Sequence, residues 1–201
     1  MLRSPSANVY AMLGIGHKLL SDHLGAFDSV NDKNSDVARL ALSGNLTLEK
    51  SISTFDASVQ QGNLRFKSPG QAQIASQIAG SFTKFVFTIT HTHVVAEATQ
   101  LYLSLNGQVT SRNLDSSEQL SLGGPYAVRA YATDEVPVNE GYVATVELRR
   151  TLKQSLVPVL VTLTGFIDTT DGRITAHPVA PGTNHVRHVG RGHQREFGGT
   201  A

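Results

Sequence analysis

The most constraining feature of this sequence is an alternation of apolar and polar residues that recurs in long segments. In 38–49 the apolar positions Ala38, Leu40, Leu42, Leu46 and Leu48 are separated by residues such as Arg39, Asn45 and Thr47. Period two is typical of a β-strand with one apolar and one polar face, because successive side chains point to opposite sides of a sheet. The pattern returns over 84–90, 99–110, 142–149 and 157–168. The sequence therefore predicts an all-β fold built from long antiparallel strands.

Such strands can build a soluble β-sandwich or a transmembrane β-barrel. The alternating segments are about ten residues long, whereas about five or six residues are usual in globular sheets. Their polar faces carry Thr, Ser, Asn and Gln more than Lys and Glu, as expected for a water-filled lumen. Periodicity alone leaves both architectures open. If the strands form a barrel, we expect the following side chains to point outward, toward lipid: Leu40, Leu42, Leu101, Leu103, Leu105, Val159 and Val161. We expect these to point inward, toward the lumen: Thr47, Ser104, Gln108, Glu147 and Thr162.

Composition narrows the function classes. The 201 residues contain no cysteine, which excludes disulfides, thiolate zinc sites and iron–sulfur clusters. The formal charge of +1 gives no overall basic field for nucleic acid, so none is expected as a partner. No stretch approaches the roughly 18–20 apolar residues of a spanning helix. His17 and Lys18 interrupt the apolar start, so we expect no cleaved export signal.

The region between two alternating segments contains an ordered series of short motifs. Asn113–Glu118 is followed by Leu122–Tyr131 with the sequence LGGPYAVRAY, and then by Asn139–Tyr142 and the triplet Glu147–Arg149. Phe166-Ile167-Asp168 and Ala180–Asn184 continue the series. This order resembles the C-terminal barrel of two-partner secretion transporters, the haemolysin secretion/activation family of outer-membrane proteins. The resemblance covers roughly 38–184.

The resemblance implies part of a 16-stranded barrel in the bacterial outer membrane, preceded by periplasmic POTRA domains. Its partners would be outer-membrane lipid and a large exoprotein that crosses the barrel unfolded. It also implies that the motif loop folds back into the lumen, with its arginine near the aspartate of the wall. By position, the pore-loop residues are Gly123, Gly124, Val128, Arg129, Ala130 and Tyr131, and the wall residues are Asp168 and Phe166.

Simple chemistry supports this pairing. An arginine inside a partly desolvated channel needs a planar acidic partner, and Asp168 lies on the polar face of its predicted strand. Gly123, Gly124 and Pro125 suit the sharp bend of a loop that re-enters the pore. Ala130 stands where the family has glycine, so a positive φ there would be strained.

The resemblance ends before the end of the sequence. We expect a partial barrel domain over 1–184 and an irregular, disordered basic tail over 185–201, which contains Arg187, Arg191 and Arg195 without alternation. We expect the chain to lack POTRA domains and the strands that close a barrel, and a truncated or frameshifted reading frame is our hypothesis for this.

Enzymatic chemistry is not predicted. The sequence has no Gly-x-Ser-x-Gly elbow and no His-Glu-x-x-His motif, and no cofactor is expected. His91 and His93 share a strand face, but Thr90 and Thr92 beside them favour ordinary barrel positions, so no metal site is predicted. The alternative to a transporter is a soluble β-rich interaction module, such as part of an adhesin sandwich.

Overall fold

Ten strands account for most of the residues that the structure describes. The computed structural model describes residues 6–24, 29–67, 77–124, 127–129, 137–153, 159–178 and 182–199. The strands are β1 (Ser6–Leu24), β2 (Ser29–Thr47), β3 (Ser51–Phe66), β4 (Gly80–Ala96), β5 (Thr99–Thr110), β6 (Leu120–Ser121), β7 (Pro137–Val138), β8 (Glu140–Lys153), β9 (Val159–Arg173) and β10 (His185–Gly199). A 3-10 helix spans Ser116–Glu118. Within the described ranges, no helix has the length and apolar character needed to cross a membrane.

The strands form one large antiparallel sheet and one small ribbon. The sheet has eight strands in the order β1-β2-β3-β4-β5-β8-β9-β10, so that neighbours in the sheet follow one another along the chain. The two-stranded ribbon β6-β7 belongs to the β5–β8 connection. Strands of the large sheet run from 12 to 19 residues, well above the usual length in globular sheets. The sheet is open and forms a segment of a barrel wall.

The pairing register sorts the side chains of this sheet onto two faces. Leu40 pairs with Val59, Val59 with Phe85, and Phe85 with Val109, so one face carries a continuous apolar row across four strands. Leu101, Leu103 and Leu105 lie on the same face, opposite Leu148, Val146 and Ala144 of β8. We call this the outward face.

Most of the described outward apolar residues are exposed to the surroundings. Leu40 is 56% exposed and Ile167 is 57% exposed, and among the described strands no second sheet packs on this face. The predicted barrel segment is therefore confirmed over a β-sandwich. Val161 shares the face by register and is buried, while the side chain of Val159 lies outside the described residues.

The opposite face, which we call the inward face, is polar. Ser104 pairs with Thr90 on one side and with Thr145 on the other, and Gln108 lies on the same face of β5. The hydroxyls of Thr54 and Thr90 are 2.7 Å apart across the β3–β4 pair. Thr47, Glu147 and Thr162 also lie on this face, as the alternation predicted.

The two ends of the sheet differ in their connections. At one end, β2 joins β3 through residues 48–50 and β4 joins β5 through residues 97–98. At the other end, the β5–β8 connection spans 111–139 and the β9–β10 connection spans 174–184. Short turns at one end and long loops at the other are typical of outer-membrane barrels.

The structure corrects the prediction of an irregular C-terminal tail. Residues 185–201 were expected to be irregular, but His185–Gly199 forms β10, which pairs with β9 along its whole length. Strand pairing uses backbone N–H and C=O groups, so a segment without apolar alternation forms a strand when a neighbouring edge supplies partners.

Glycines pack directly against phenylalanine rings on neighbouring strands. At four such positions, an added Cβ would lie between 2.2 and 2.7 Å from a ring atom. The phenylalanine is the register partner of the glycine in each case, as for Gly62 opposite Phe82. An aromatic ring that covers a glycine shields the backbone and pins the register. The four pairs are Gly44–Phe55, Gly62–Phe82, Gly107–Phe87 and Gly192–Phe166.

We expect Gly62→Ala to impair assembly of the sheet, since its Cβ would collide with the buried Phe82 ring at 2.2 Å. Overpacking of this kind costs about 1–3 kcal/mol. Gly165→Ala is the matched control, because nothing lies within 4 Å of a Cβ there. Heat-modifiable migration of the assembled barrel measures both variants, and equal assembly of the two would contradict the packing argument.

Candidate functional site: a loop on the inward face

The β5–β8 connection folds over the inward face of the sheet. The segment 111–124, which we call the loop root, contains buried residues at Asn113, Leu114, Asp115, Glu118 and Leu122. Asp115 caps the 3-10 helix by accepting a hydrogen bond from the backbone N–H of Ser117 at 3.2 Å. A connection with this many buried groups is an integral part of the lumen surface.

Arg129 lies beyond the root and contacts the wall through two carboxylates. Its Nη2 donates to Asp168 Oδ1 at 2.9 Å and its Nε donates to Asp168 Oδ2 at 3.0 Å, a bidentate geometry. Its Nη1 is 2.7 Å from Glu147 Oε1. The side chain of Asp168 is 0% exposed and that of Arg129 is 15% exposed. The hydrogen bonds to Asp168 raise the pKa of Arg129; burial opposes this, and Glu147 adds to it.

The register of β8 and β9 builds the surface that receives this arginine. Thr145 pairs with Asp168 and Glu147 pairs with Phe166, so all four side chains share one inward patch. The ring of Phe166 lies 3.6 Å from the Arg129 guanidinium carbon, in a cation–π contact. Thr145 donates a further hydrogen bond to Asp168 Oδ1 at 3.0 Å. We call Arg129, Asp168, Glu147 and Phe166 the arginine clamp.

A small apolar cluster supports the clamp from within the loop. Leu122, Ala127, Val128 and Val138 of the connection are buried together with Val143 of β8. Gly124 has a φ of +106°, a conformation that glycine adopts without strain. The N–H of Val128 donates to the carbonyl of Leu122 at 3.2 Å, which closes the turn.

Of the other loop residues that the sequence predicted, the structure describes some and not others. Gly123 forms an isolated bridge with Val128, so Gly123, Gly124 and Val128 all belong to the turn that presents Arg129. Pro125, Ala130 and Tyr131 lie outside the described residues.

Sequence reasoning missed a second set of contacts, between two acidic residues of the loop root and three lysines of the sheet. Lys33 of β2 donates to Asp115 at 2.5 Å, and Lys84 of β4 lies 2.7 Å from Glu118 Oε2. Lys18 of β1 also binds Glu118. We call these five residues the acidic anchor. The signal available in the sequence was a lysine on the polar face of the 84–90 segment, where Thr otherwise dominates.

The acidic anchor keeps its carboxylates ionised. Burial opposes ionisation of Asp115, but the hydrogen bonds from Lys33 and Ser117, with the lysine charge, outweigh it and lower the pKa of Asp115. The same balance holds at Glu118. Burial acts to raise the pKa of Glu118, but the hydrogen bonds and charges of Lys18 and Lys84 outweigh burial and lower it.

Two amides tie the loop to the wall. Gln108 Nε2 donates to the carbonyls of Glu118 and Asn139, each at 3.1 Å. Asn139 Oδ1 accepts from the N–H of Leu114 at 2.6 Å, and Asn139 Nδ2 donates to the carbonyl of Ile174 at 2.6 Å. The start and end of the connection are thereby joined to each other and to the β9–β10 connection.

The histidine pair lies away from this site. His91 and His93 are on the outward face of β4, and their rings stack with centroids 6.1 Å apart. His91 Nδ1 is 2.8 Å from the hydroxyl of Ser53. In the part of the chain that the structure describes, no three His, Asp or Glu side chains come together in a metal-binding arrangement.

The fold and the loop define a class of protein. A wall of long antiparallel strands with an apolar outer face and an arginine loop docked on its inner face is a β-barrel transporter architecture. A family model described as "Haemolysin secretion/activation protein ShlB/FhaC/HecB" matches residues 29–187. The chain belongs to this family, whose members are two-partner secretion transporters.

Individual relatives agree with this assignment. The "Heme/hemopexin transporter protein HuxB" of Haemophilus influenzae strain 86-028NP is 24% identical over 164 residues, which cover 80% of this chain and 29% of HuxB. HuxB from a second strain of that species matches with the same identity and coverage. The chain thus spans less than a third of the length of these curated relatives.

A solved structure shares the fold. CdiB from Escherichia coli matches with a TM-score of 0.50 and 16% sequence identity, over 94% of this chain and 44% of CdiB.

We expect docking of the loop root to be insensitive to pH from 8 to 5. Because the pKa values of Asp115 and Glu118 are lowered in the folded state, their stabilisation is present above the ordinary carboxyl pKa of about 4. It is lost as pH falls through the lowered values. A spin label at Ser121→Cys reports docking through its mobility. Asp115→Asn removes one anchor carboxylate and so isolates the share of the acidic anchor in the acid-induced change. If Asp115→Asn kept the full acid-induced change in label mobility, that change would not come from the acidic anchor.

Proposed function

We propose that this chain forms part of an outer-membrane barrel that secretes or activates a large partner exoprotein. The observation that carries the proposal is the arginine clamp, which fixes a long loop on the polar inner face of a barrel wall. Membership in the haemolysin secretion/activation family supports the same activity. The chain acts by positioning and conduction, with neither enzymatic chemistry nor a cofactor.

The outer face suits contact with lipid. Exposed apolar side chains follow one another across neighbouring strands, from Leu42 of β2 to Ile89 of β4 and Val146 of β8. Burial of such surface in hydrocarbon is favourable, at about 25 cal/mol per Å². We infer that outer-membrane lipid covers this face and that nucleic acid has no role.

The inner face suits an extended, unfolded polypeptide. Thr, Ser and Asn side chains such as Thr54, Thr90 and Asn106 offer uncharged hydrogen-bonding groups, and the charges of the arginine clamp and the acidic anchor are paired with opposite charges. Such a surface binds passing backbone weakly, which favours movement over retention. The loop occupies part of this face, so its displacement would widen the path for the polypeptide. The proposed moving motif consists of Gly123, Gly124, Val128, Arg129, Ala130 and Tyr131. Asp168 and Phe166 are the wall residues on which this motif rests.

The lipid contact can be tested with single tryptophans, because the chain contains none. Leu42→Trp on the outward face should be quenched strongly by brominated lipid, and Asn106→Trp on the inward face should be quenched weakly. The measurement is made on a reconstituted transporter that carries this sequence. Equal quenching at the two sites would rule out the proposed orientation.

The role of the loop can be tested with Arg129→Ala. Loss of a bidentate, partly buried ion pair should leave the loop without its position in the lumen, and exoprotein release should fall by about tenfold or more. The heat-modifiable barrel should remain, because this contact does not hold strands together. Arg173→Ala is the control, because Arg173 is an exposed arginine that pairs with Glu140 at 3.4 Å away from the clamp. Unchanged release by Arg129→Ala would remove the loop from the mechanism.

A further inference from the structure

The loop is attached to the wall at two places that differ in composition and position. The arginine clamp joins Arg129 to β8 and β9, whereas the acidic anchor joins Asp115 and Glu118 to β1, β2 and β4. The charges are reversed between the two, with a cation on the loop in one and anions on the loop in the other. The two attachments therefore share no wall residue and can open separately.

We propose that the two attachments open in sequence, and that Asp115 and Glu118 are positioning residues that keep the loop root docked after the arginine clamp has opened. This inference rests on the proposed function and concerns the regulation of the same loop. It makes residues 111–121 of the root a fixed part of the wall, and Gly123, Gly124 and residues 127–129 the releasable part.

The wall side of the arginine clamp has partners that remain when Arg129 leaves. Glu147 accepts a hydrogen bond from Arg149 Nε at 2.6 Å, and Arg149 lies over the ring of Tyr102 at 4.3 Å. Asp168 retains the hydrogen bond from Thr145 at 3.0 Å. Opening the clamp thus leaves neither carboxylate without a hydrogen bond, which lowers the penalty for release.

Four of the five side chains of the acidic anchor are enclosed, and the fifth, Lys18, is 44% exposed. The side chains of Lys33 and Asp115 are each 4% exposed, and Lys84 is buried with Glu118. Lys84 donates to the backbone carbonyl of Glu118 at 3.1 Å as well as binding its carboxylate. Undocking the root would break both of these Lys84 contacts together with the Lys33–Asp115 pair, and the loss of several charge-assisted hydrogen bonds at once is unfavourable.

The backbone around the anchor adds to this difference. Gln108 also donates to the carbonyl of Glu118, and Asn139 accepts from the N–H of Leu114. The lowered pKa values of Asp115 and Glu118 keep both residues charged at neutral pH, which agrees with an attachment that stays closed. The root should therefore remain docked under conditions in which Arg129 is free.

The experiment measures loop position directly. The chain contains no cysteine, so Ser121→Cys in the loop root can be labelled selectively with a maleimide in a transporter that carries this sequence and has no cysteine elsewhere. With Arg129→Ala the labelling rate should change by less than about twofold. With Glu118→Gln or Asp115→Asn it should rise by about tenfold or more, as expected for loss of a charged hydrogen bond.

Matched variants separate anchoring from misfolding. Asp56→Asn removes another inward carboxylate, which pairs with Arg39 and does not contact the loop, so its labelling should stay at the parental rate. Lys18→Gln alters a partly exposed member of the anchor and should give a smaller increase in a barrel that remains heat-modifiable.

The outcomes distinguish the two proposals. A rise in labelling of similar size for Arg129→Ala and Glu118→Gln would overturn sequential opening, as would no rise for the acidic variants. Faster labelling in Glu118→Gln together with normal exoprotein release would support the positioning role of Glu118 and refute the function proposed for the loop.

Discussion

The site depends on the register between β8 and β9. That register pairs Thr145 with Asp168 and Glu147 with Phe166, so two carboxylates, a hydroxyl and an aromatic ring share one inward patch. Arg129 meets the three groups that suit a guanidinium best: a bidentate carboxylate, a second carboxylate and a ring face. A slip of one residue would turn each of these side chains to the outward face. The loop could then find no acidic seat on the wall.

The inward face poses a different problem from the core of a soluble protein. A wall of Thr, Ser and Asn offers little apolar surface on which a loop can pack, so the loop is held mainly by charge and hydrogen bonds. The apolar cluster around Leu122 and Val128 is small and lies largely within the connection itself. Ion pairs at both ends of the loop supply the attachment that hydrophobic burial supplies elsewhere. Such attachment is compatible with release, because water and neighbouring polar groups can replace individual contacts.

Glycine and phenylalanine connect the site to the strand framework. Phe166 is covered by Arg129 on one side and approaches Gly192 of β10 on the other, where a Cβ would lie 2.7 Å from the ring. The arginine clamp therefore rests on a ring whose position depends on the next strand. This arrangement links β10 to the loop, although sequence patterning predicted neither β10 nor β1 and β3.

The sequence by itself determined the strand-rich architecture and its two faces, because a period of two over long segments leaves a chain few other ways to separate apolar from polar side chains. The resemblance of its motif order to the haemolysin secretion/activation family also implied that Arg129 would lie near Asp168, and the polar-face position of Asp168 agreed with this. Only the tertiary structure decided the acidic anchor and β10. Lys33 and Asp115 are 82 residues apart, and their contact exists because strand order brings β2 beneath the loop. β10 forms because β9 presents an edge of backbone donors and acceptors, which no side-chain pattern encodes.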